Sequence, residues 1–338
     1  MSFALVDIRG AFNFAGADTG GNCEDRMDLL NSFWGEADQM TTDAITMLRA
    51  AISTTANIGQ NERGQAQRAA TTWLAAISDA DRGVALDTFN RIRDFLDRGQ
   101  NAAQPQKPAW LFCDDNWLVK REWNNPVVNE DGNFILVPTG GGGQRFKLIQ
   151  EQYPTRFQQN PGLLPYFAAS IGTYILDHDY GTSSYCGDGN LGATQDESPG
   201  AATMTLCPVS FAQRAPDAPA ANLGANGGNG AGFQRYAPPS LTLYHEMFHL
   251  VLGASPAQSG DVQVSNAVGN AVGDINTRLI ATRAARAATR QNNPSRAALE
   301  RILKNPESYT WFALQAWYFY RRNQYFDPNA DGVVARLL

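Results

Sequence analysis

The chain has 338 residues and a formal net charge of −6, with 43% hydrophobic and only 18% charged residues. This acidic balance argues against a nucleic-acid partner, because phosphate binding needs clustered Lys and Arg. The most basic stretch, residues 283–290, is interleaved with alanines, which is typical of a solvated helix face. No apolar run approaches membrane-spanning length, so we expect no membrane partner.

Helices are predicted for most of residues 23–98, because apolar residues recur there at spacings of three and four. The clearest one runs through residues 86–96 and ends at Gly99, a residue type that is common just after a helix. No polar residue of this region stands out chemically. We therefore interpret the region as a packed helical subdomain.

A polar, proline-containing stretch at residues 101–108 is typical of a linker, and it divides the chain into two predicted domains. The first domain, 1–105, is the N-terminal helical subdomain. The second domain, 106–338, begins with short strands, and its C-terminal part, 262–338, is predicted to be helical again.

Short strands are predicted where apolar and β-branched residues cluster between Gly-rich or polar loops. Four runs have this composition: 110–113, 134–137, 174–176 and 204–207. Together with the helices they predict an α+β fold that is mostly helical and has a small mixed sheet. We expect the strand that ends at Cys207 to offer an edge along which an extended substrate lies.

The chain holds four cysteines, an even number with no pair at the C-x-x-C spacing of metal sites. Two disulfides formed in an oxidising compartment explain them, with Cys186–Cys207 and Cys23–Cys113 as the preferred pairing. Four free buried thiols are the alternative. The first seven residues lack the features of a signal peptide, so the chain is either cytosolic or a processed mature form with an added Met, and we expect it to be secreted.

A buried helix is predicted from about residue 241 to residue 252. Two prolines and Ser240, the expected N-cap, precede it, and Gly253 follows it. The segment is apolar on nearly every face, which is typical of a helix in the protein interior. Polar side chains within such a helix need partners, because burying them unpaired is costly.

The only chemically distinctive run in this helix is His-Glu-Met-Phe-His, residues 245–249. His245 and His249 stand four residues apart, so their rings project from one face and can both reach a tetrahedral Zn²⁺. Glu246 is rotated by about 100° from His245, outside the first coordination shell and able to touch a metal-bound water. This is the H-E-x-x-H pattern of zinc peptidases; a chance match with two core histidines is the alternative.

A zinc site also needs a third protein ligand and an open position for water. We expect Asp261, because the chain between His249 and this residue contains turn-forming glycines and a proline that allow it to double back beneath the helix. Asp274 and His178 are the other candidates for this position. His178 lies between two aspartates, a setting that is more typical of an exposed loop.

These residues resemble the deuterolysin family, the aspzincins, which are secreted fungal zinc endopeptidases. The family's third ligand is the Asp of a Gly-Thr-x-Asp-x-x-Tyr-Gly segment soon after the second His. The matching residues here, 259–264, read Ser-Gly-Asp-Val-Gln-Val, so the Gly and Asp are present but the Thr and the Tyr-Gly are missing. Residues 305–313, Asn-Pro-Glu-Ser-Tyr-Thr-Trp-Phe-Ala, are similar to a second run of the family, Asn-Ala-Asp-x-Tyr-x-x-Phe-Ala. The segments around Cys186 and Cys207 resemble the strands and disulfide before its zinc helix.

The resemblance implies a zincin-like fold around the H-E-x-x-H helix and a zinc metalloendopeptidase that acts on peptide or protein substrates. We expect the chain to be a monomer. In such an enzyme Glu246 is the general base acting on a zinc-bound water, and a nearby donor stabilises the oxyanion. Tyr309 is the candidate donor, although its aromatic neighbours favour a role in core packing. The alternative is a non-catalytic, secreted zinc-binding or zinc-scavenging protein related to fungal antigens, a group that carries His-Arg in place of His-Glu. A structural protein without metal is a third hypothesis.

Overall fold

Helices account for about half of the described residues and strands for a smaller part, so the protein is α+β. The computed structural model of the chain describes residues 6–52, 59–159, 161–176, 186–187, 190–195, 200–211, 223–224, 236–253, 302–327 and 334–337. Its α-helices are α1 (Ile8–Ala11), α2 (Met27–Ile52), α3 (Gln60–Leu74), α4 (Asp79–Arg98), α5 (Ile149–Gln152), α6 (Pro154–Gln159), α7 (Pro208–Phe211), α8 (Ser240–Leu252) and α9 (Pro306–Arg322). Its strands are β1 (Asn13–Phe14), β2 (Ala109–Phe112), β3 (Leu118–Lys120), β4 (Leu136–Pro138), β5 (Gln144–Phe146), β6 (Tyr166–Ala168), β7 (Thr173–Ile175), β8 (Gly192–Gln195), β9 (Ala202–Leu206), β10 (Gln324–Asp327) and β11 (Val334–Leu337).

Local sequence explains both ends of α4. The Ser78 hydroxyl accepts a hydrogen bond from the Asp81 N–H over 3.2 Å, and the Asp81 carboxylate accepts one from the Ser78 N–H over 3.0 Å. The helix ends at Gly99, as predicted. This residue has a φ of 55°, and a Cβ there would lie 2.4 Å from the carbonyl oxygen of Gly10 in α1. Only glycine permits this close approach.

The main sheet is mixed and has the strand order β1-β2-β9-β8. β2 pairs in parallel with both β1 and β9, whereas β8 pairs antiparallel with β9. The strand that was predicted to offer an edge, the one ending at Cys207, is therefore β9 in the sheet interior, and that prediction is wrong. The strand at the edge beside it is β8. A smaller antiparallel sheet, β3-β6-β7, and the hairpins β4-β5 and β10-β11 complete the described strands.

One hydrophobic core joins the N-terminal helices to α8, α9 and one face of the main sheet. Phe248 of α8 is typical of it: its ring lies 5.6 Å from that of Phe89 in α4 and 5.2 Å from that of Tyr309 in α9, centroid to centroid. From the sheet, Met204 and Leu206 of β9 belong to the same core. This core thus includes residues from both sides of the boundary predicted near residue 105.

Helix α8 lies in this core, as its apolar sequence requires, and nine of its thirteen residues are buried. Ser240 was expected to be the N-cap, but it is the first residue of the helix, and its hydroxyl donates to the carboxylate of Glu36 in α2. At the other end, Gly253 has a φ of 98°, and its N–H donates to the His249 carbonyl over 2.9 Å. A residue with a side chain would be strained at this turn.

Both expected disulfides, Cys23–Cys113 and Cys186–Cys207, are formed. The first ties the start of the helical region to the end of β2, and the second joins the end of β9 to the segment that leads towards β8. None of the described helices is long and apolar enough to cross a membrane.

The C-terminal part, predicted to be helical over 262–338, is described from residue 302 onwards apart from residues 328–333 and 338. It contains the 17-residue helix α9, which is followed by the antiparallel hairpin β10-β11 rather than by further helix. Asn323, in the left-handed conformation with a φ of 52°, ends the helix and allows the chain to turn into β10.

Candidate metal centre

His245 and His249 lie side by side on α8, with ring centroids 5.1 Å apart and ring planes inclined by 60°. Both residues are only partly buried, whereas most of their neighbours on the helix are buried. The two imidazoles therefore lie on the face of α8 that is turned away from the apolar core. The spacing of four residues brings the rings together, as the sequence predicts.

The distance between the two rings fits a zinc ion bound by both. With a zinc–nitrogen distance of about 2.1 Å and a tetrahedral angle at the metal, the centroids of two ligating imidazoles lie roughly 5 Å apart. The observed 5.1 Å agrees with this value. Imidazole nitrogens are also among the ligands that zinc prefers, so this pair could supply two of the three protein ligands of a catalytic site.

The Nδ1 side of the His245 ring contacts a carboxylate that the sequence did not single out. Its Nδ1 lies 2.9 Å from Oε2 of Glu307, in the first turn of α9, and both side chains are largely buried. The other carboxylate oxygen of Glu307 accepts a hydrogen bond from the Trp311 indole over 2.6 Å. A carboxylate on the second nitrogen of a histidine is a recurrent partner of metal-binding imidazoles. In the sequence, Glu307 was noted only as part of the family-like run at residues 305–313.

Glu246 faces a different partner, the edge strand β8. Its side chain is buried, and the Thr194 hydroxyl lies 2.8 Å from its Oε2 and 3.2 Å from its main-chain oxygen. Gly192, two residues earlier on the same face of the strand, lets the backbone pass close by, since a Cβ there would lie 3.1 Å from the Glu246 Cγ. Neither β8 residue carried a signal in the sequence.

Tyr309, the candidate oxyanion donor, lies in the core and is 0% exposed. Its ring stacks on Phe248 and packs edge-on against Phe89, and its hydroxyl donates to the Leu303 carbonyl over 2.5 Å. Burial raises the pKa of this phenol, although a hydrogen bond with Thr88 acts in the opposite direction. In this arrangement Tyr309 serves packing and holds the turn before α9.

The candidates for the third zinc ligand, Asp261, Asp274 and His178, all lie outside the described residues. Within the described part of the chain, no group of three or more His, Cys, Asp or Glu side chains is arranged to hold a metal ion. The described site therefore consists of two ligand-type imidazoles and Glu246, with Glu307 behind His245.

A further carboxylate, partly buried, lies at the N-terminal end of α8. Glu36 of α2 accepts hydrogen bonds from the Ser240 hydroxyl and, over 3.0 Å, from the Leu223 N–H. Burial raises the pKa of Glu36, although these two hydrogen bonds lower it. This carboxylate lies more than one helical turn away from His245 along α8, so it anchors the helix rather than contributing to the site.

The chain matches no protein-family model, no curated protein and no solved structure. The likeness to the deuterolysin family therefore stays a prediction based on its motifs. What bears on function is the arrangement of side chains around α8.

Proposed function

We propose that this chain is a zinc-dependent endopeptidase in which His245 and His249 hold the metal and Glu246 is the general base. The observation that carries the proposal is the pair of imidazoles 5.1 Å apart on one face of a buried helix, next to a carboxylate held by a neighbouring strand. Zinc bound by this pair would lower the pKa of a coordinated water to about 7 and polarise the carbonyl of the scissile bond.

Glu246 would accept a proton from the attacking water and deliver it to the leaving amine. Its contacts support this role. Thr194 donates to one carboxylate oxygen, and Gly192 packs against the side-chain stem, so the carboxylate is held in one orientation. A base that is already oriented loses little entropy on reaching the transition state.

The substrate would be an extended peptide or protein segment that pairs with β8. This strand pairs only with β9 among the described strands and lies at the edge of the sheet, and its Thr194 contacts the proposed base. A peptide added at such an edge gains main-chain hydrogen bonds that do not depend on its sequence. It would also bring its own peptide bonds close to Glu246.

The remaining features of the proposal follow from sequence. Asp261 is the proposed third ligand, with Asp274 and His178 as the alternatives, and the two disulfides support a secreted protein. We further propose a monomer with a zincin-like fold, related to the fungal deuterolysins.

Replacing Glu246 with Gln tests the proposal. Glu246→Gln keeps the size of the side chain but cannot accept a proton, so we expect cleavage of unfolded proteins to fall by at least about 10²-fold. Zinc content should stay at about one ion per chain, because Glu246 is not a ligand in this site. Glu36→Gln is the matched control, since it removes another carboxylate, partly buried, that contacts α8 and should leave cleavage unchanged.

The competing function is that of a non-catalytic zinc-binding or zinc-scavenging protein. If the wild type binds one zinc but cleaves nothing in a broad panel of peptides and unfolded proteins, the peptidase proposal fails and the binding function remains. If the wild type binds no zinc, both fail.

A further inference from the structure

The contact between His245 and Glu307 joins two helices that are far apart in sequence. His245 lies in the middle of α8 and Glu307 lies at the start of α9, 62 residues later, yet Nδ1 and Oε2 are 2.9 Å apart. The side chains are 15% and 20% exposed, so water competes little for this hydrogen bond. Polar groups at the edge of an apolar core need hydrogen-bond partners, and in this contact the two side chains serve as partners for each other.

The position of the Glu307 carboxylate does not depend on His245 alone. Its other oxygen is bound by the indole of Trp311, one turn further along α9, and Trp311 in turn stacks on Trp73 of α3 with centroids 6.3 Å apart. The carboxylate also lies in the first turn of its helix, where the helix dipole favours negative charge. Glu307 is thus a rigid acceptor presented to the ring of His245.

A rigid carboxylate determines which nitrogen of a neutral imidazole carries the hydrogen. An ionised carboxylate only accepts hydrogen bonds, so the nitrogen facing it, Nδ1, carries the hydrogen and Nε2 keeps the lone pair that a metal requires. The same contact restricts rotation of the ring about its χ angles. It also makes the imidazole a more basic ligand.

We propose that Glu307 is a positioning residue that selects the tautomer and orientation in which Nε2 of His245 binds zinc. The proposal rests on the proposed zinc site and extends it to a residue that touches neither metal nor substrate. Glu307 contacts Nδ1, on the opposite side of the ring from the zinc-binding nitrogen, so it acts through His245 and not as a ligand.

Two substitutions of Glu307 separate the effect of its charge from the effect of its capacity to accept a hydrogen bond. Glu307→Gln keeps an acceptor oxygen and loses the charge, whereas Glu307→Met keeps most of the volume and loses both. We expect zinc affinity, measured on the full chain by competition with a chelator, to fall by about tenfold in the Gln variant and by up to about 100-fold in the Met variant. Glu36→Gln, which removes a partly buried carboxylate at the N-terminal end of α8, should leave the affinity unchanged.

Trp311→Phe gives a milder perturbation for the case in which a Glu307 variant does not fold. It removes the indole donor from Oε1 of Glu307 and keeps an aromatic ring against Trp73. We expect a smaller fall in zinc affinity than in Glu307→Gln. Circular dichroism of each variant shows whether it has folded.

A spectroscopic readout reports the tautomer independently of zinc. The chain contains only three histidines, so long-range ¹H–¹⁵N spectra of the metal-free protein at pH about 8.5, where ordinary histidine is neutral, are simple to assign. We expect His245, identified through His245→Ala, to carry its hydrogen on Nδ1 in the wild type and to shift towards the Nε2 form in Glu307→Met.

The outcomes separate this inference from the proposed function. A wild type that binds one zinc, together with a Glu307→Met variant of unchanged zinc affinity and unchanged tautomer, overturns the role of Glu307 and leaves the zinc site standing. Complete loss of zinc from Glu307→Gln at saturating zinc also overturns it, because Glu307 would then be a ligand. A wild type that binds no zinc overturns the proposed function, and the inference with it.

Discussion

The hydroxyl of Thr194 lies 2.8 Å from Oε2 of Glu246, so the edge strand of the main sheet and helix α8 meet at one carboxylate. Thr194 pairs with Met204 in the neighbouring strand, and Met204 points into the core that contains α8. Strand pairing thus places the hydroxyl on the face of the sheet that covers the helix. The orientation of the proposed base depends on a residue 52 positions away in sequence.

Thr194→Val should lower kcat for peptide cleavage by about tenfold or more, since a hydrogen bond to a charged group contributes roughly 1.5–3 kcal/mol. The substitution keeps the shape of the side chain and removes only the donor to Glu246. Zinc affinity should not change. Thr205→Val is the control, because Thr205 is also a buried threonine, on β9, and its hydroxyl instead accepts a hydrogen bond from the Trp117 indole. Equal losses of activity in the two variants would contradict a specific role for Thr194.

Gly192→Ala should reduce both stability and activity. The new Cβ would lie 3.1 Å from the Glu246 Cγ and 3.1 Å from the Thr205 carbonyl oxygen, so either the strand or the base must move. We expect a loss of about 1–3 kcal/mol in the free energy of unfolding, the usual cost of overpacking, together with a fall in kcat.

The control for this substitution is Gly83→Ala in the second turn of α4, where an added Cβ meets no atom within 4 Å. Alanine should stabilise that helix by about 0.5–1 kcal/mol and leave kcat unchanged. Urea unfolding and steady-state kinetics on the same preparations measure both quantities. A Gly192→Ala variant with wild-type stability and kcat would show that the approach of β8 to Glu246 is looser than described.

Glu36 should make stability depend on pH. Burial raises the pKa of its carboxyl above the ordinary value of 4.5, despite the hydrogen bonds from Ser240 and Leu223. The folded chain therefore holds this proton more tightly than the unfolded chain does. The resulting stabilisation is fully present below pH 4.5 and is lost as the pH rises through the higher pKa of the folded state.

Glu36→Gln cannot ionise, so its stability relative to the wild type should increase as the pH is raised from about 4.5 to about 7. Urea unfolding of both proteins at several pH values measures the difference. Other titrating groups contribute equally to both and cancel. A stability difference that is constant with pH, or that changes in the opposite direction, would show that the folded state does not raise this pKa.

Structural features that depend mainly on the local sequence were predictable. The four-residue spacing of His245 and His249 places their rings together in any helix, and the apolar residues around them require that the helix be buried. The end of α4 at Gly99, the strands β2 and β9 and both disulfides were likewise predicted and are present.

Features that depend on tertiary contacts were not predictable. Strand β8 reads Gly-Ala-Thr-Gln, in which Thr194 is the only β-branched residue and no residue is aromatic, so the sequence signal for a strand is weak and the sheet edge was assigned to β9. Glu307 and Thr194 are ordinary polar residues whose partners lie 62 and 52 positions away. Serine is a residue type favoured at N-caps, but the hydroxyl of Ser240 instead donates a hydrogen bond to Glu36 of another helix.

The most direct test of the central claim is to titrate zinc into the metal-free chain while measuring cleavage of an unfolded protein. If His245 and His249 hold one catalytic zinc, activity should be absent at first, rise in proportion to added zinc and level off at about one ion per chain. His249→Ala should show no such rise at the same concentrations. Absence of cleavage at every zinc concentration, or cleavage that does not depend on zinc, would contradict the claim.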